Sequence, residues 1–317
     1  VFIPSGSTIL DCILGGGWPL KKISNIIGDA STGKSQLAIE ALINFKRKFP
    51  DGIAAYQECE SGFDTDYAEK LGLNISDIDY IENVETVEGT MKSVFKFLAR
   101  VEGSEQPGFY CIDTLDAIKL LEPEPGKKSN EPHLEQGYDK AKRANLINSM
   151  ITSFAGPFKR ANSHLQIISQ VRQNIGVMFG DKYTVTGGKA LHFYSSQRLI
   201  LADLGEIKKT IDKIERVIGM KIKAKMKKCK IGKPRRTCQF PIIFDYGIDD
   251  VTSMVEWLKE MKRLNSFIDE YAEDYSVSEL IHEIKSGNKV LGVTLRDEVI
   301  NKWHEIEEKF APEFLKY

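Results

Sequence analysis

No run of about 18 consecutive apolar residues occurs in the 317-residue sequence, so nothing in it reads as a membrane-spanning helix. Its opening, VFIPSGST, holds neither a basic nor an apolar stretch and does not read as a signal peptide. Cysteine is sparse: Cys12, Cys59, Cys111, Cys229 and Cys238 are scattered, with no Cys-x-x-Cys pair. That excludes a zinc-ribbon spacing and favours reduced thiols in a cytoplasmic protein over a disulfide framework. The five histidines form no His-Glu-x-x-His pattern, which removes a metalloprotease-like site. Internal repeats and low-complexity tracts are missing too. What remains, 42% hydrophobic and 28% charged residues, suits a globular chain long enough for one large domain and a small one.

A large excess of either charge is also absent, the net charge being −1, yet the distribution is uneven. Residues 221–236, KIKAKMKKCKIGKPRR, carry nine basic side chains and no acidic one. From residue 251 onward, 9 basic residues stand against 14 acidic ones. A local positive field suits a polyanion, and a solvated strand face would explain the same run.

Hydrophobic periodicity predicts strands at 22–28, 52–58, 77–84, 108–115 and 164–171. Helices are expected between them at 33–48, 65–72, 86–101 and 139–155. That alternation implies an α/β fold with a mostly parallel sheet covered by helices. Three further strands, RLILADL, VIGMKIKAKMKKCK and QFPIIFDYG, follow without long helices and are expected as antiparallel strands at the sheet's edge. Beyond Ile248 the pattern turns helical, at 251–264, 276–287 and 294–310. The expected division is a core of 1–248 and a small, mainly helical C-terminal domain of 249–317.

One motif is complete. GDASTGKS, from Gly28 through Asp29, Ala30, Ser31, Thr32, Gly33 and Lys34 to Ser35, matches G-x-x-x-x-G-K-[ST] between a strand and a helix. Its backbone N–H groups would wrap a β-phosphate at the helix's positive end, with Gln36 just inside the helix. Lys34 would reach the β- and γ-phosphates, and Ser35 would ligate Mg²⁺. Asp113 ends the apolar strand FYCID and is the natural second ligand. For the base that orients the attacking water, YQECESGFD offers Glu58 and Glu60, and spacing alone leaves the choice open.

NIGVMFGDKYTVTGGKALHFY, residues 174–194, holds neither periodicity and reads as a glycine-rich loop. Loops of this kind run over the surface, which makes Met178 and Phe179 out of place. Either the pair folds back as a local clamp or it is exposed in order to touch something.

Taken in order, SGSTILDCILGGGWPLKKISNIIGDASTGKS, ECESGFDTDYAEKLG and ISQVRQNIGVMFGDKYTVTGGKALHFYSSQR resemble the RecA recombinase family over residues 5–244. The third stretch matches that family's second DNA-binding loop almost residue for residue, and other P-loop families lack it. The resemblance implies a RecA-like ATPase core and specific roles. Glu60 falls on the catalytic glutamate, and Asp64 and Tyr67 on a pair contacting adenine. Gln170 falls on the glutamine that senses the γ-phosphate. Met178 and Phe179 fall on the DNA-spreading tip, and Arg172, Thr184, Thr186, Gly187 and Gly188 on positions contacting the DNA backbone. Lys228 and Lys230 fall on the pair that reaches the neighbouring subunit's ATP; as i and i+2 on a strand they would share a face.

The Pro-rich stretch 122–138 takes the place of the family's first DNA loop but matches poorly. Asn174 and Lys189 stand where bacterial members carry lysine and asparagine. The family's subunits dock through a helix and strand ahead of this core; the sequence opens on the core itself, which leaves the docking mode open. The C-terminal region is only weakly similar, pointing to a divergent member with a phage origin left open. The resemblance thus implies an ATP- and Mg²⁺-dependent recombinase that binds single- and double-stranded DNA and self-associates into filaments or rings. The rival within the fold is a DNA-stimulated ATPase without strand exchange, a helicase or mediator. The rival outside it is a DNA-binding module that uses ATP only for assembly.

Overall fold

The computed structural model describes residues 1–60, 62–120, 132–173, 183–185 and 188–314. A small antiparallel pair, β1 (Phe2–Ile3) and β2 (Trp18–Pro19), brackets α1 (Thr8–Leu14). The main sheet starts with β3 (Ile23–Gly28), followed by α2 (Lys34–Lys48), β4 (Ile53–Glu58), α3 (Thr65–Lys70) and β5 (Asp79–Ile81). Next come α4 (Val87–Ser104), β6 (Gly108–Asp113), α5 (Pro132–Arg160), β7 (Ser163–Gln173), β8 (Tyr183–Val185) and α6 (Gly188–Tyr194). The antiparallel strands β9 (Ser195–Ile211), β10 (Ile214–Cys229), β11 (Thr237–Ile243) and β12 (Gly247–Ile248) lead to α7 (Asp250–Glu260), α8 (Leu264–Tyr271), α9 (Val277–Lys285) and α10 (Lys289–Lys309).

The strands order as β12-β11-β10-β9-β3-β7-β6-β4-β5, with β8 paired to β7. From β9 to β5 the neighbours run parallel, and β10, β11 and β12 add antiparallel edges, as the alternation predicts. Because successive residues of a strand face opposite sides, Ile167 and Ile168 enter different cores. Ile168 joins Leu42, Phe45, Ile222, Phe240 and Leu258 on the side of α1, α2 and the last four helices. Ile167 joins Val94, Phe97, Ile112 and Phe154 beneath α4 and α5. Among the described residues no helix is long and apolar enough to cross a membrane.

Buried on both faces, β3 still contains Ser24 and Asn25, and each is satisfied. Ser24 Oγ donates to Gln197 Oε1 at 2.8 Å, while Asn25 Nδ2 donates to the Ile167 carbonyl at 3.0 Å and to Ser169 Oγ at 2.9 Å. Asn25 thereby ties the strand that launches the Gly28–Ser35 loop to β7. Asn25→Ala removes both bonds from a buried site, so it should lower unfolding free energy by about 1–3 kcal/mol in a urea titration.

Several boundaries differ from the periodicity reading. Helix α5 starts at Pro132 rather than 139, because its first residues carry no apolar stripe to betray it. The expected helix 251–264 ends at Glu260, the chain breaks at Lys262 with φ 55°, and a further helix, α8, starts at Leu264 and supplies Phe267 to the core. Helix α10 starts at Lys289 instead of 294, capped by Asn288, whose Oδ1 accepts from the Leu291 N–H at 3.1 Å. Strands β9 and β10 reach beyond the expected 204 and 217 to meet at Asp212 and Lys213. Both turn residues have positive φ, 51° and 68°, which suits the twist of a tight hairpin.

Candidate nucleotide site and nucleic-acid interface

The Gly28–Ser35 loop connects β3 to the first turn of α2. Gly33, at φ 78°, caps that helix without a side-chain hydrogen bond, so the first-turn N–H groups face outward. The positive φ demands glycine, and a Cβ there would also have to push aside the end of the Ile242 side chain, 2.5 Å away. Inside the loop, Thr32 Oγ1 and Lys34 Nζ donate to the Asp29 carbonyl at 2.9 and 2.5 Å, and Ala30 N–H donates to Asp29 Oδ1 at 2.8 Å. Burial pushes the Lys34 ammonium below its ordinary range, an effect opposed chiefly by Asp113 and then Glu60.

Asp113 sits where β6 ends, opposite Glu58 of β4. Its Oδ2 accepts from Ser35 Oγ at 2.6 Å and from the Tyr56 hydroxyl at 2.5 Å. Burial drives its carboxyl upward, and those two donors oppose the rise. One hydroxyl and one carboxylate side by side fit Mg²⁺, which takes few protein ligands and completes its shell with phosphate oxygens and water. Tyr56 was not legible as part of this site, because nothing local in IAAYQE sets it beneath the carboxylate.

The two glutamates differ in surroundings. Glu58 is buried, and its Oε1 accepts from the Gly62 N–H at 2.7 Å, holding the turn after β4. Glu60 is exposed, and its Oε1 accepts from Thr114 Oγ1 at 2.7 Å and from Gln170 Nε2 at 2.9 Å. Gln170 is level with Gly28 across the β3–β7 pairing, and its N–H donates to Asp116 Oδ2 at 2.7 Å. The loop, Asp113, Thr114, Glu60 and Gln170 therefore form one connected set, three strands drawing together residues far apart in sequence.

A cavity of about 410 Å³ runs from Ser31–Gln36 past Glu58, Glu60 and Asp113 to Asp64 and Tyr67. Its remaining wall is apolar, made by Ile39, Phe63, Met220, Ile242 and Phe244. Sequence reasoning missed that wall, since Met220 and Ile242 meet only through the β10–β11 register. Asp64 also caps α3, its Oδ1 accepting from the Tyr67 N–H at 2.9 Å.

Lys228 and Lys230 do not line this cavity. Strand β10 ends at Cys229, and its register slips between Met226 and Lys228, so simple alternation does not carry through to the pair. Their ammonium groups converge nonetheless. Lys228 donates to the carbonyls of His192 and Phe193, and Lys230 donates to the Phe193 carbonyl at 2.9 Å, 5.3 Å from that ring's centroid. Burial, then the charges of Lys230 and Arg198, lower Lys228 to about 8.

Of the expected DNA contacts, Met178, Phe179, Thr186 and Gly187 lie outside the described residues, as does most of 122–138. Arg172 and Thr184 are backbone partners across the β7–β8 pair, and Gly188 opens α6. Strand β7 thus runs from the Gln170 contact directly toward the 174–182 segment.

A family model described as the RecA N-terminal domain matches residues 1–249. The chain is 32% identical over 255 residues to Protein RecA of Desulfotalea psychrophila, covering 80% of this chain and 67% of that one. Against Protein RecA of Methylococcus capsulatus it is 32% identical over 255 residues, covering 80% and 68% respectively. With Protein RecA of Chloroherpeton thalassium the figures are 31% over 260 residues, 82% and 68%. The match spans most of the chain and includes the Gly28–Ser35 loop, and the chain belongs to the RecA family.

Proposed function

We propose that this chain is an ATP-dependent recombinase, a DNA-stimulated ATPase that pairs homologous DNA and exchanges strands from a filament on single-stranded DNA. The observation that carries the reading is the Glu60–Gln170 hydrogen bond. It joins the phosphate end of the cavity to the strand that enters the 174–182 segment. Residues 29–36 hold the ATP phosphates, Lys34 neutralises the β- and γ-phosphates, and the base lies against Asp64, Tyr67 and the apolar wall. Ser35 and Asp113 hold Mg²⁺, which when bound screens the phosphate charge. Glu60 orients the attacking water, and Gln170 trades its bond to Glu60 for the γ-phosphate, drawing β7 and the DNA loop into their gripping state. Loss of that phosphate releases the loop, a switch between two arrangements.

Within the filament, Arg172, Thr184, Thr186, Gly187 and Gly188 contact the DNA backbone, and Met178 and Phe179 wedge between bases. Lys228 and Lys230 complete the ATP site of the next subunit. Residues 249–317 are a small C-terminal domain on the core of 1–248.

The switch is tested at Gln170. In Gln170→Ala, ATP should still bind, whereas the ATP-over-ADP preference for single-stranded DNA should fall by about 5–150-fold, the usual span of a coupling energy. Fluorescence anisotropy with each nucleotide measures it; an undiminished preference would remove Gln170 from the switch. Strand exchange between homologous DNAs separates the recombinase from a helicase or mediator, which would hydrolyse ATP without forming joint molecules.

A further inference from the structure

The turn between β10 and β11, which carries Lys230 and follows directly on Lys228, is held from two sides. Backbone bonds close it: Met226 N–H to the Arg236 carbonyl at 2.9 Å, Arg235 N–H to the Met226 carbonyl at 2.7 Å, and Lys230 N–H to the Ser196 carbonyl at 2.8 Å. On one side Gly232 lies against Gly15 at the end of α1, so close that a Cβ on Gly232 would stand 3.2 Å from Gly15 Cα. On the other side α10 presents Glu307. Arg236 Nε and Nη2 donate to its two oxygens at 2.6 and 2.7 Å, and Lys233 Nζ lies 3.0 Å from Oε2. The Glu307 side chain is only 17% exposed and that of Arg236 31%.

An isolated surface ion pair contributes little, but one sheltered carboxylate clasping two cations, one of them bidentately, is the exception to that rule. The Arg236 hydrogen bonds hold the Glu307 carboxyl below its ordinary range, so the clasp is charged at neutral pH.

We infer that Glu307 is a positioning residue for Lys228 and Lys230: by clasping Lys233 and Arg236 it fixes the turn, and through it the lysine pair offered to a neighbouring subunit's ATP. The inference rests on the reading of the lysine pair as completing that site. It makes α10 a determinant of hydrolysis in the next subunit. ATP is held by that subunit's own loop, so losing the clasp lowers kcat rather than ATP affinity.

The test measures DNA-stimulated ATP hydrolysis by the full chain in four forms: parent, Glu307→Gln, Lys228→Ala/Lys230→Ala, and the triple variant. Glu307→Gln should lower kcat roughly three- to tenfold, the scale of one ordinary net hydrogen bond lost at a distance from the chemistry, with KM for ATP nearly unchanged. In the lysine-free background the same substitution should change nothing further. The charge-reversed set Lys233→Glu/Arg236→Glu/Glu307→Arg should recover most of the lost kcat, which also covers the case of a poorly folded single variant. A parental kcat for Glu307→Gln overturns the proposal, as does an equal further loss in the lysine-free background. A parental rate for Lys228→Ala/Lys230→Ala instead overturns the lysine reading itself, and the two failures are distinct.

Discussion

Glu60→Gln protein should bind ATP and single-stranded DNA as the parent does and hydrolyse ATP roughly 10²–10⁴-fold more slowly, the usual worth of a positioned general base. Glutamine keeps the size of the side chain and a carbonyl oxygen that can accept from Thr114 Oγ1 and Gln170 Nε2, so the bonds seen at 2.7 and 2.9 Å survive. What it loses is basicity. With the switch intact and the chemistry stopped, the protein should stay on DNA in its ATP state, giving long-lived filaments by electron microscopy. Glu58→Gln is the control, since Glu58 is buried against the Gly62 N–H. It should cost stability before rate. Parental hydrolysis by Glu60→Gln with DNA present would show that the base lies elsewhere.

Lys228→Ala/Lys230→Ala should lower DNA-stimulated hydrolysis roughly 10²–10³-fold, comparable to removing a donor aimed at developing negative charge. The structure gives this a sharper form, because neither lysine lines the cavity of its own chain. The lysine-free subunit keeps an intact phosphate loop, and the Lys34→Ala subunit keeps intact lysines. Mixed, the two inactive proteins create interfaces where ATP held by the first meets lysines of the second, so activity should reappear and peak near equal proportions. Folded, co-assembling mixtures with no activity at any ratio would exclude a shared site. The carbonyls of His192 and Phe193, which hold the ammonium groups in the lone chain, would release them when a subunit docks.

The sequence by itself determined whatever is written locally. Strand–helix alternation is a matter of periodicity within a dozen residues, and it predicted the parallel sheet and its antiparallel edge. GDASTGKS is contiguous, so loop geometry and helix start follow from one stretch of chain. Element ends were legible only where an apolar stripe marks them, which is why the start of α5 and the break at Lys262 were not.

Tertiary structure decided everything that depends on register between strands distant in sequence. The different surroundings of Glu58 and Glu60 arise because one carboxylate turns to Gly62 while the other meets Thr114, just past β6, and Gln170 from β7. The apolar wall of the cavity exists because β10 and β11 place Met220 opposite Ile242. Alternation along KKCK suggested a shared face; the slip in the β9–β10 ladder lies ahead of the pair, between Met226 and Lys228, and the Phe193 carbonyl of α6 gathers both lysines. Glu307 meets Arg236 across 71 positions of chain. Side-chain periodicity says which way a residue points, whereas only the assembled sheet says what stands there to meet it.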